Sequence, residues 1–383
     1  MEVVRNMIRV HFLPAKGGDF LWLCYGNENH WSHILIDSGY AGCARDYTAV
    51  MRHINSAGES VEAVILTHID NDHIGGFLEW LLQKNIVIPH IKRIFFNNSR
   101  DIQRRLNISF PSRPEDSVLG RIPAEKYGVS AAVHILDALE ARGLSSALHG
   151  ATVCSPEPVH LSQGAELLFI SPSVSALKRF AAGWEEELQK EQKKTPKYGA
   201  VPKCRDSLHK LMDEPFIPDR ATSNGASLAF LFEFEGKRSA FLGDAWAAEC
   251  LDGLGALGYC RERSCQASLV KLSHHGSHRN FSEELAQTLR APYFLLSTKP
   301  LSYIKGQKIT IARLLKQGQP VSIILNCPCS EDFLTPDDRE RYIRTKRLRL
   351  LLAGQGGLSK IELEEGLTVY GKTGNQFLPY QPI

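Results

Sequence analysis

Residues 67–76 bring four side chains that can bind metal ions into one short stretch, directly after an apolar run with the character of a strand. The run is Val61–Leu66, and the four side chains belong to His68, Asp70, Asp72 and His73. Because the backbone turns where the strand ends, His68 and Asp70 can enter one pocket while Asp72 and His73 reach a second position beside it. The spacing therefore predicts a site for two adjacent cations.

The ligand types narrow the choice of metal. Imidazole nitrogens and carboxylate oxygens suit divalent cations, and carboxylates shift the preference from zinc toward manganese or magnesium. An acidic helix start with two surface histidines is the alternative, and it explains less well why four such residues precede a glycine pair. Gly75 and Gly76 predict a tight bend into a helix. The apolar face of that helix is Ile74, Phe77, Leu78, Leu81 and Leu82.

Two later segments carry residues of the same chemistry. Asp244 ends the apolar run 240–242, where a carboxylate can bridge two cations, although taken alone it fits a turn or helix cap better. His274 and His275 follow the apolar run 267–272, so one of them can complete a metal site while its neighbour faces substrate or supports the ligands. A buried structural histidine is the alternative there.

The chain resembles the metallo-β-lactamase superfamily in five segments that occur in the same order. Residues 68–73 are similar to the superfamily's His-x-His-x-Asp-His run, with Asp70 in the second place, a variant that resembles the hydrolase domain of ComEC-type competence proteins. The other segments are 12–19, 34–39, 223–228 with 241–245, and 270–277. The resemblance implies an α/β fold, an αββα four-layer sandwich with helical and loop insertions, in a single hydrolase domain over residues 1–383.

The resemblance also implies roles for individual residues. Two divalent ions, zinc or manganese, would be held by His68, Asp70, Asp72, His73, Asp244 and His274. Asp72 also counts among the catalytic residues, together with His275 and Ser277, which would contact the scissile group, and Lys271, which would offset phosphate charge if it faces the cleft. Asp37 is expected to orient the ligand loop by hydrogen bonds without touching metal. Which of His274 and His275 binds metal stays open.

Two departures from the superfamily pattern concern this site. Ser171 stands where the superfamily supplies a third histidine, and the Gly-His-Pro segment of ComEC-type domains is replaced by a different sequence around residues 301–310. One cation is therefore expected to be short of protein ligands and to be completed by water or bound weakly. His160 and His278 are spare imidazoles that could compensate, with a solvated histidine as the alternative for each.

The length and composition of the chain fit a single enzyme domain. Of the 383 residues 43% are apolar, and the net charge of +3 neither demands nor excludes a nucleic-acid partner. Nine cysteines without a Cys-x-x-Cys pair predict free thiols in a reducing compartment. No uncharged apolar run reaches about eighteen residues, and the first ten residues lack the core of a signal peptide. A cytoplasmic protein without membrane contact is expected.

Two insertions are predicted, at about residues 98–160 and 174–222. The first should begin as a polar surface loop over 98–121 and continue as a helix over 124–142.

In the second insertion, apolar residues recur at helical spacing, namely Leu177, Phe180, Trp184 and Leu188. One face of this helix is expected to dock on the body. Its outer face over 185–194 fits a lid, a surface for a protein partner, or plain packing. Further along, the basic residues of 339–349 fit nucleic-acid contact or, since acidic residues are mixed among them, a solvated helix face.

These features predict a metal-dependent hydrolase, with a phosphodiesterase or DNase as the leading interpretation. A dinuclear centre would lower the pKa of a bridging water to near neutrality, providing metal-activated hydroxide, and would stabilise both oxygens of an in-line displacement. The expected substrate is a phosphodiester, either single-stranded DNA or a small nucleotide. The alternatives are hydrolysis of a non-phosphate ester or amide bond, and a catalytically weakened scaffold that binds a protein partner through residues 174–222.

Overall fold

Two large β-sheets are formed by the apolar segments of the chain in a computed structural model, which describes residues 5–108, 128–184, 204–298, 305–329, 331–353 and 360–371. The strands are β1 Met7–Phe12, β2 Phe20–Asn27, β3 His30–Asp37, β4 Val61–Leu66, β5 Ile94–Phe96, β6 Val159–His160, β7 Glu166–Ser171, β8 Ala229–Phe234, β9 Lys237–Phe241, β10 Cys265–Gln266, β11 Leu269–Lys271, β12 Leu289–Arg290, β13 Tyr293–Leu296, β14 Val321–Leu325, β15 Leu348–Leu352, β16 Lys360–Glu364 and β17 Leu367–Tyr370.

The first sheet has the strand order β16-β17-β1-β2-β3-β4-β5, and the second has the order β15-β14-β13-β11-β9-β8-β7-β6. Strands β10 and β12 form a separate parallel pair. The helices are α1 Ala44–Ser56, α2 Asn71–Leu82, α3 Ser99–Leu106, α4 Val129–Ala141, α5 Val174–Ala182, α6 Leu208–Leu211, α7 Thr222–Gly225, α8 Ala247–Ala256, α9 Glu283–Thr288, α10 Lys305–Lys316 and α11 Pro336–Asp338.

The two sheets pack face to face and bury aromatic side chains between them. Tyr25 of β2 meets Phe232 of β8 with ring centroids 5.2 Å apart, and Phe95 of β5 meets Phe169 of β7 at 5.1 Å. Since stacked sheets pack about 10 Å apart, such rings span the gap and exclude water from it. This central layer is one continuous apolar cluster.

Helices cover the outer face of each sheet. Helices α1, α2 and α4 share an apolar cluster with the outer face of the first sheet, where Tyr47 of α1 contacts Phe20 of β2 at a centroid distance of 5.5 Å. Helices α8 and α10 share another cluster with the second sheet through residues such as Leu254 and Ile309. The arrangement is helix, sheet, sheet, helix, so the predicted αββα fold is confirmed.

Sheet topology brings the predicted ligands to one edge. Strands β3 and β4 are parallel in the first sheet, and β9, β11 and β13 are parallel in the second. Because the carboxyl ends of parallel strands point the same way, the residues that follow β4, β9 and β11 emerge on the same side of the molecule.

The glycine pair has a different use from the predicted bend. Helix α2 begins at Asn71, so Gly75 and Gly76 lie inside it and do not bend the chain into it. A Cβ at Gly75 would lie 2.6 Å from the Ala41 nitrogen, and one at Gly76 would collide with the Ser38 carbonyl. The missing side chains allow α2 to pack tightly against the segment after β3, which holds the ligand loop in place.

The first predicted insertion differs in its opening part. Residues 99–106 form helix α3, capped by the Asn98 side chain on the Asp101 nitrogen, where a surface loop was expected. The cap explains the difference, because an Asn followed by acidic and basic residues starts a helix as readily as a loop. The rest of the expected loop lies outside the described residues. The predicted helix after it is confirmed as Val129–Ala141.

The second predicted insertion docks as expected in its described part. Leu177, Phe180 and Trp184 are buried against the cluster that lines the first sheet's helices. Leu188 and the outer face over 185–194 lie outside the described residues. The division of the chain into one domain with two insertions stays a prediction.

Two arginines of the basic cluster near the carboxyl end pair with nearby acidic residues. Arg341 contacts Asp337 at 2.6 Å and Arg344 contacts Glu340 at 2.7 Å, each one helical turn apart. Residues 348–352 form strand β15. All nine cysteines are unpaired, as predicted. Among the described helices, none combines the length and apolar character needed to cross a bilayer.

Candidate metal centre

The Asp244 carboxylate, which follows β9, lies at the centre of four imidazoles. Its oxygens are 3.3 Å from Nε2 of His73, 3.6 Å from Nε2 of His68, 3.6 Å from Nε2 of His274 and 3.9 Å from Nε2 of His275. Asp244 is 2% exposed, and His68 and His73 are buried with it, while the His274 side chain is 35% exposed. Residues that lie far apart in the sequence thus converge on one carboxylate.

The other nitrogen of each imidazole is held by a neighbouring oxygen. The Nδ1 partners are Thr67 Oγ1 for His68 at 3.1 Å, Asp37 Oδ2 for His73 at 2.7 Å, Asn280 Oδ1 for His274 at 3.0 Å and Asp19 Oδ1 for His275 at 3.1 Å. A ring fixed through Nδ1 directs its Nε2 lone pair at a defined point, which is the usual arrangement of histidines that bind metal.

Several of the atoms that face the centre are buried without a hydrogen-bond partner among the described residues. They are Nε2 of His68, His73 and His275, and Oδ1 of Asp244. Leaving such an atom unpaired costs about 1–3 kcal/mol. Divalent cations would satisfy all of them at once, and the nitrogen and oxygen donors are of the type that zinc and manganese accept. The residues therefore fit a metal centre.

The donors can be divided into two groups by the second carboxylate beside them, Asp70 or Asp72. Nε2 of His68 is 3.8 Å from Asp70 Oδ2, and both His68 and His274 approach Asp244 Oδ2. On the other side, Nε2 of His275 is 3.3 Å from Asp72 Oδ2. His73 is placed in this second group, since its Nε2 approaches Asp244 Oδ1. Nε2 of His275 is also 3.9 Å from Asp244 Oδ2, the oxygen that His68 and His274 approach, so Asp72 and not the Asp244 oxygen places His275 in the second group.

The electrostatics of the centre favour cations. Burial lowers the pKa of His73, but the charges of Asp244 and Asp37 outweigh it and hold that pKa well above its usual value. In the same way Asp244 and Asp19 overcome burial and raise the pKa of His275 to about 9. Burial raises the pKa of Asp244, but the surrounding imidazoles outweigh it and hold that pKa well below its usual value. A metal ion at Nε2 would therefore replace protons that these imidazoles otherwise carry.

Asp37 accepts hydrogen bonds from the first residue of the ligand loop and from His73. Its Oδ1 accepts from the Thr67 backbone nitrogen at 2.8 Å, and its Oδ2 accepts from Thr67 Oγ1 at 2.8 Å as well as from His73. The carboxylate is fully occupied in orienting the ligand loop and does not face the centre.

Lys271 does not face the cleft, which was the condition for its expected role in offsetting phosphate charge. Its ammonium is 1% exposed and donates to Asp19 Oδ2 at 2.5 Å and to the Leu272 carbonyl at 2.9 Å. Burial of an ammonium among the apolar residues around β11 is unfavourable unless its charge is compensated, and the Asp19 carboxylate compensates it. Lys271 therefore compensates the charge of Asp19, and its ammonium is closed off from solvent.

Asp19 lies at the candidate centre, although the predicted site did not include it. It lies with His73, Asp244 and His275 in one cluster whose ligand atoms are within 4.8 Å of one another. Both of its oxygens are engaged, however: Oδ1 by Ser297 and His275, and Oδ2 by Lys271. Asp19 is thus better suited to orient His275 than to bind metal, and Asp72 supplies the neighbouring carboxylate.

A signal for Asp19 was present in the glycines before it. A Cβ on Gly18 would collide with the Asp72 carbonyl, and the Asp19 nitrogen donates to that carbonyl at 3.1 Å. The segment before β2 can approach the ligand loop this closely only because residue 18 has no side chain.

The turn after β11 presents two neighbouring histidines to the same carboxylate. His274 and His275 have φ values of 47° and 52°, in the left-handed region that residues other than glycine seldom adopt. Each such residue costs roughly 1–3 kcal/mol, and this strain is typical of functional sites. Both rings face the centre from this conformation.

A cavity of about 390 Å³ opens next to the centre. Its lining is Gly17, Tyr40, Asp72, His274, His275, Ser277, His278, Ser297, Gly306 and Gln307. Ser277 and the spare histidine His278 therefore line this cavity. His160 does not belong to it: its side chain is 75% exposed and contacts Glu166.

Comparison with known proteins gives a family for part of the chain. Residues 29–168 match the model of the metallo-β-lactamase superfamily. The hydroxyacylglutathione hydrolase of Aliivibrio fischeri (strain MJ11) is 33% identical over 86 residues, which cover 22% of this chain and 31% of that protein. The protein of the same name from Photobacterium profundum is 30% identical over 73 residues, covering 19% and 26%. The chain thus spans about a third or less of these curated relatives.

Solved structures give only distant matches. A CmlA beta-hydroxylase mutant aligns with a TM-score of 0.33 and 10% identity, covering 92% of this chain and 53% of that one. MEM-A1, a subclass B3 metallo-beta-lactamase from a soil metagenome library, aligns with a TM-score of 0.28 and 11% identity, covering 79% and 94%.

Proposed function

Since the chain contains a metallo-β-lactamase superfamily domain, we propose that it is a metal-dependent hydrolase that cleaves phosphodiester bonds at a pair of divalent cations. The observation that carries the proposal is the convergence of four imidazole Nε2 atoms on the buried carboxylate of Asp244. Cations bound there would lower the pKa of water toward neutrality and withdraw charge from the substrate's oxygens.

The two groups of donors supply the ligands in this proposal. His68, Asp70 and His274 would hold one zinc or manganese ion, and Asp72, His73 and His275 the other, with Asp244 between them. His275 is therefore assigned to metal and no longer to the scissile group, because its Nε2 faces Asp72 and Asp244.

The cavity wall opposite the ligands supports an anionic substrate. The pKa of His278 is lowered by burial and by the positive charges of Arg313, Arg279 and Lys305 around it. Glu214 pairs with Lys305 at 2.6 Å and offsets its charge, so the two arginines behind His278 leave the charge there positive, which favours a group such as a phosphodiester. Ser277, which also lines the cavity, can donate a hydrogen bond to a phosphate oxygen.

Tyr40 is a further hydrogen-bond donor in the wall of the cavity. Burial and the nearby charge of Asp72 raise its pKa to about 12, so the phenol keeps its proton at neutral pH. Facing the same cavity, it can donate to an oxygen that gains charge during displacement.

A second candidate reaction is hydrolysis of an acyl thioester or ester. It is favoured by the similarity of part of the chain to hydroxyacylglutathione hydrolases. The same pair of cations would polarise a carbonyl oxygen in such a substrate. The weakened scaffold that binds a protein partner stays the third alternative, and it requires that cations be absent or inactive.

A substrate panel separates the three. The purified protein with Mn²⁺ or Zn²⁺ is incubated with a labelled single-stranded oligonucleotide, bis(p-nitrophenyl) phosphate, p-nitrophenyl acetate and an acyl thioester of glutathione. We expect cleavage of the phosphodiesters, reduced at least about 100-fold in Asp244→Ala and unchanged in His160→Ala, whose ring is exposed away from the centre. Turnover of only the thioester or ester selects the second candidate. Bound cations without any turnover refute both.

A further inference from the structure

With His274 assigned to one of the two cations, we infer that Asp219 is the residue that positions it, through the amide of Asn280. The inference rests on the proposed function and assigns a residue of the second predicted insertion, 174–222, to the metal centre. It also resolves the apparent shortage of ligands at one cation.

Ser171 is engaged elsewhere. It ends β7, is fully buried, and its hydroxyl donates to the Ser227 carbonyl at 2.9 Å. A hydroxyl committed to a backbone carbonyl in this way is not available as a ligand.

His274 approaches the group of donors that would otherwise be incomplete. Its Nε2 lies 3.6 Å from Asp244 Oδ2, the same oxygen that His68 Nε2 approaches at 3.6 Å. Asp70 lies on this side as well. With His274 the group offers two imidazoles and two carboxylates, the number of donors that a tetrahedral zinc site requires.

Asp219 fixes the orientation of the side chains around His274. Its Oδ2 accepts from the Asn224 amide at 2.7 Å and from the Asn280 amide at 3.0 Å. The Asn280 amide nitrogen also donates to the Asp244 carbonyl at 3.1 Å. Both amide hydrogens of Asn280 are thereby used, so its Oδ1 must face His274.

This orientation selects the tautomer of His274. Asn280 Oδ1 is 3.0 Å from Nδ1 and can only accept, so the ring proton lies on Nδ1 and the lone pair of Nε2 faces Asp244. The Asp219 carboxylate, 3.7 Å from Nδ1, favours the same proton position. The amide nitrogen of Asn224 lies farther from Nδ1 than Asn280 Oδ1 does, at 3.3 Å, and is already directed at Asp219.

Asp219 itself is anchored on both sides. Its Oδ1 accepts from the Arg220 nitrogen at 2.7 Å and from the Ala221 nitrogen at 3.2 Å, and its own nitrogen donates to the Arg279 carbonyl at 3.0 Å. The carboxylate cannot turn away without breaking these bonds. It acts through Asn280 and does not touch the cation.

Metal binding by three variants tests the inference. Cations per chain are counted by elemental analysis after equilibrium dialysis against Zn²⁺, and the visible spectrum is recorded with Co²⁺. Wild type should bind two cations and His274→Ala one. In Asp219→Asn, one of the two cations should bind with a dissociation constant about 10- to 100-fold larger than in wild type, and the Co²⁺ spectrum should change. Ser171→Ala should still bind two.

A matched control is Asp101→Asn, because Asp101 likewise accepts from an asparagine amide, that of Asn98 at 2.7 Å, outside the centre. It should bind two cations with unchanged affinity. Thermal unfolding shows whether each variant is folded. Two cations in folded His274→Ala, or unchanged affinity in Asp219→Asn, overturn the inference and leave the hydrolase proposal standing. A wild type that binds no cation at all refutes the hydrolase proposal itself.

Discussion

Replacing Asp37 with asparagine should weaken one cation without disturbing the shape of the site. The Thr67 nitrogen needs an acceptor 2.8 Å away, so the asparagine carbonyl must take the position of Oδ1. Its amide then takes the position of Oδ2, 2.7 Å from Nδ1 of His73, where it donates a hydrogen bond and no longer accepts one. The His73 proton moves to Nε2 and blocks the lone pair that faces Asp244.

The expected size of this effect follows from the kind of contact that is lost. Changing the hydrogen-bond partner of a metal-binding histidine typically weakens metal affinity about 10- to 100-fold, which is roughly 1.4–2.7 kcal/mol. The cation next to His73 should weaken most, because His73 bonds Asp37 directly. His274 takes its Nδ1 contact from Asn280, and His68 is reached only through the Thr67 hydroxyl, which also bonds Asp37, so the other cation should weaken less.

The assay is competition with a chromophoric chelator, which resolves two dissociation constants for Zn²⁺. Glu59→Gln is the matched control, since Glu59 holds His33 by the same carboxylate–imidazole contact at 2.8 Å, away from the centre. Both constants should be unchanged in this control. Equal weakening in the two variants, or none in a folded Asp37→Asn, would refute the tautomer argument.

Three further outcomes are expected. Burial, with the charge of Arg9, lowers the pKa of His11 to about 3 while its ring stacks on Trp22 at 4.2 Å. The unfolded chain therefore binds a proton below pH 6.5 that His11 does not bind in the folded protein, so His11 alone should lower the unfolding free energy by about 2 kcal/mol between pH 7.5 and 5. His11→Phe should lose less in urea titrations at the two pH values. Lys271→Met leaves a buried carboxylate uncompensated and should cost about 3–5 kcal/mol, seen as a lower Tm. Tyr40→Phe should reduce kcat roughly 10- to 100-fold without changing the cation content, and an unchanged kcat would remove Tyr40 from the site.

The ligand loop could be predicted because its signals are local. An apolar run of strand length, followed at once by His68 and Asp72, determines both the element and the position of the side chains at its end. Asp244 follows the same rule after β9. Parallel strands then bring such ends to one edge without further information.

Asp219 has no such local signal, and the glycines before Asp19 indicate only a close approach of the backbone, because the roles of both residues depend on distant partners. Asp19 is recognised by its contact with Lys271, 252 positions away, and Asp219 by its contact with Asn280, 61 positions away. The local sequence of each also fits an ordinary turn. The strand order of the first sheet could not be predicted either, because β1 pairs in parallel with β17, which lies near the carboxyl end of the chain.

A crystal structure of the Zn²⁺- or Mn²⁺-loaded protein, with anomalous scattering recorded at the metal edge, tests the central claim most directly. We expect two peaks about 3.5–4 Å apart on opposite sides of the Asp244 carboxylate, one beside His68 and His274 and one beside His73 and His275. A map without a peak at Asp244, or imidazoles whose Nε2 atoms point away from it, would contradict the account.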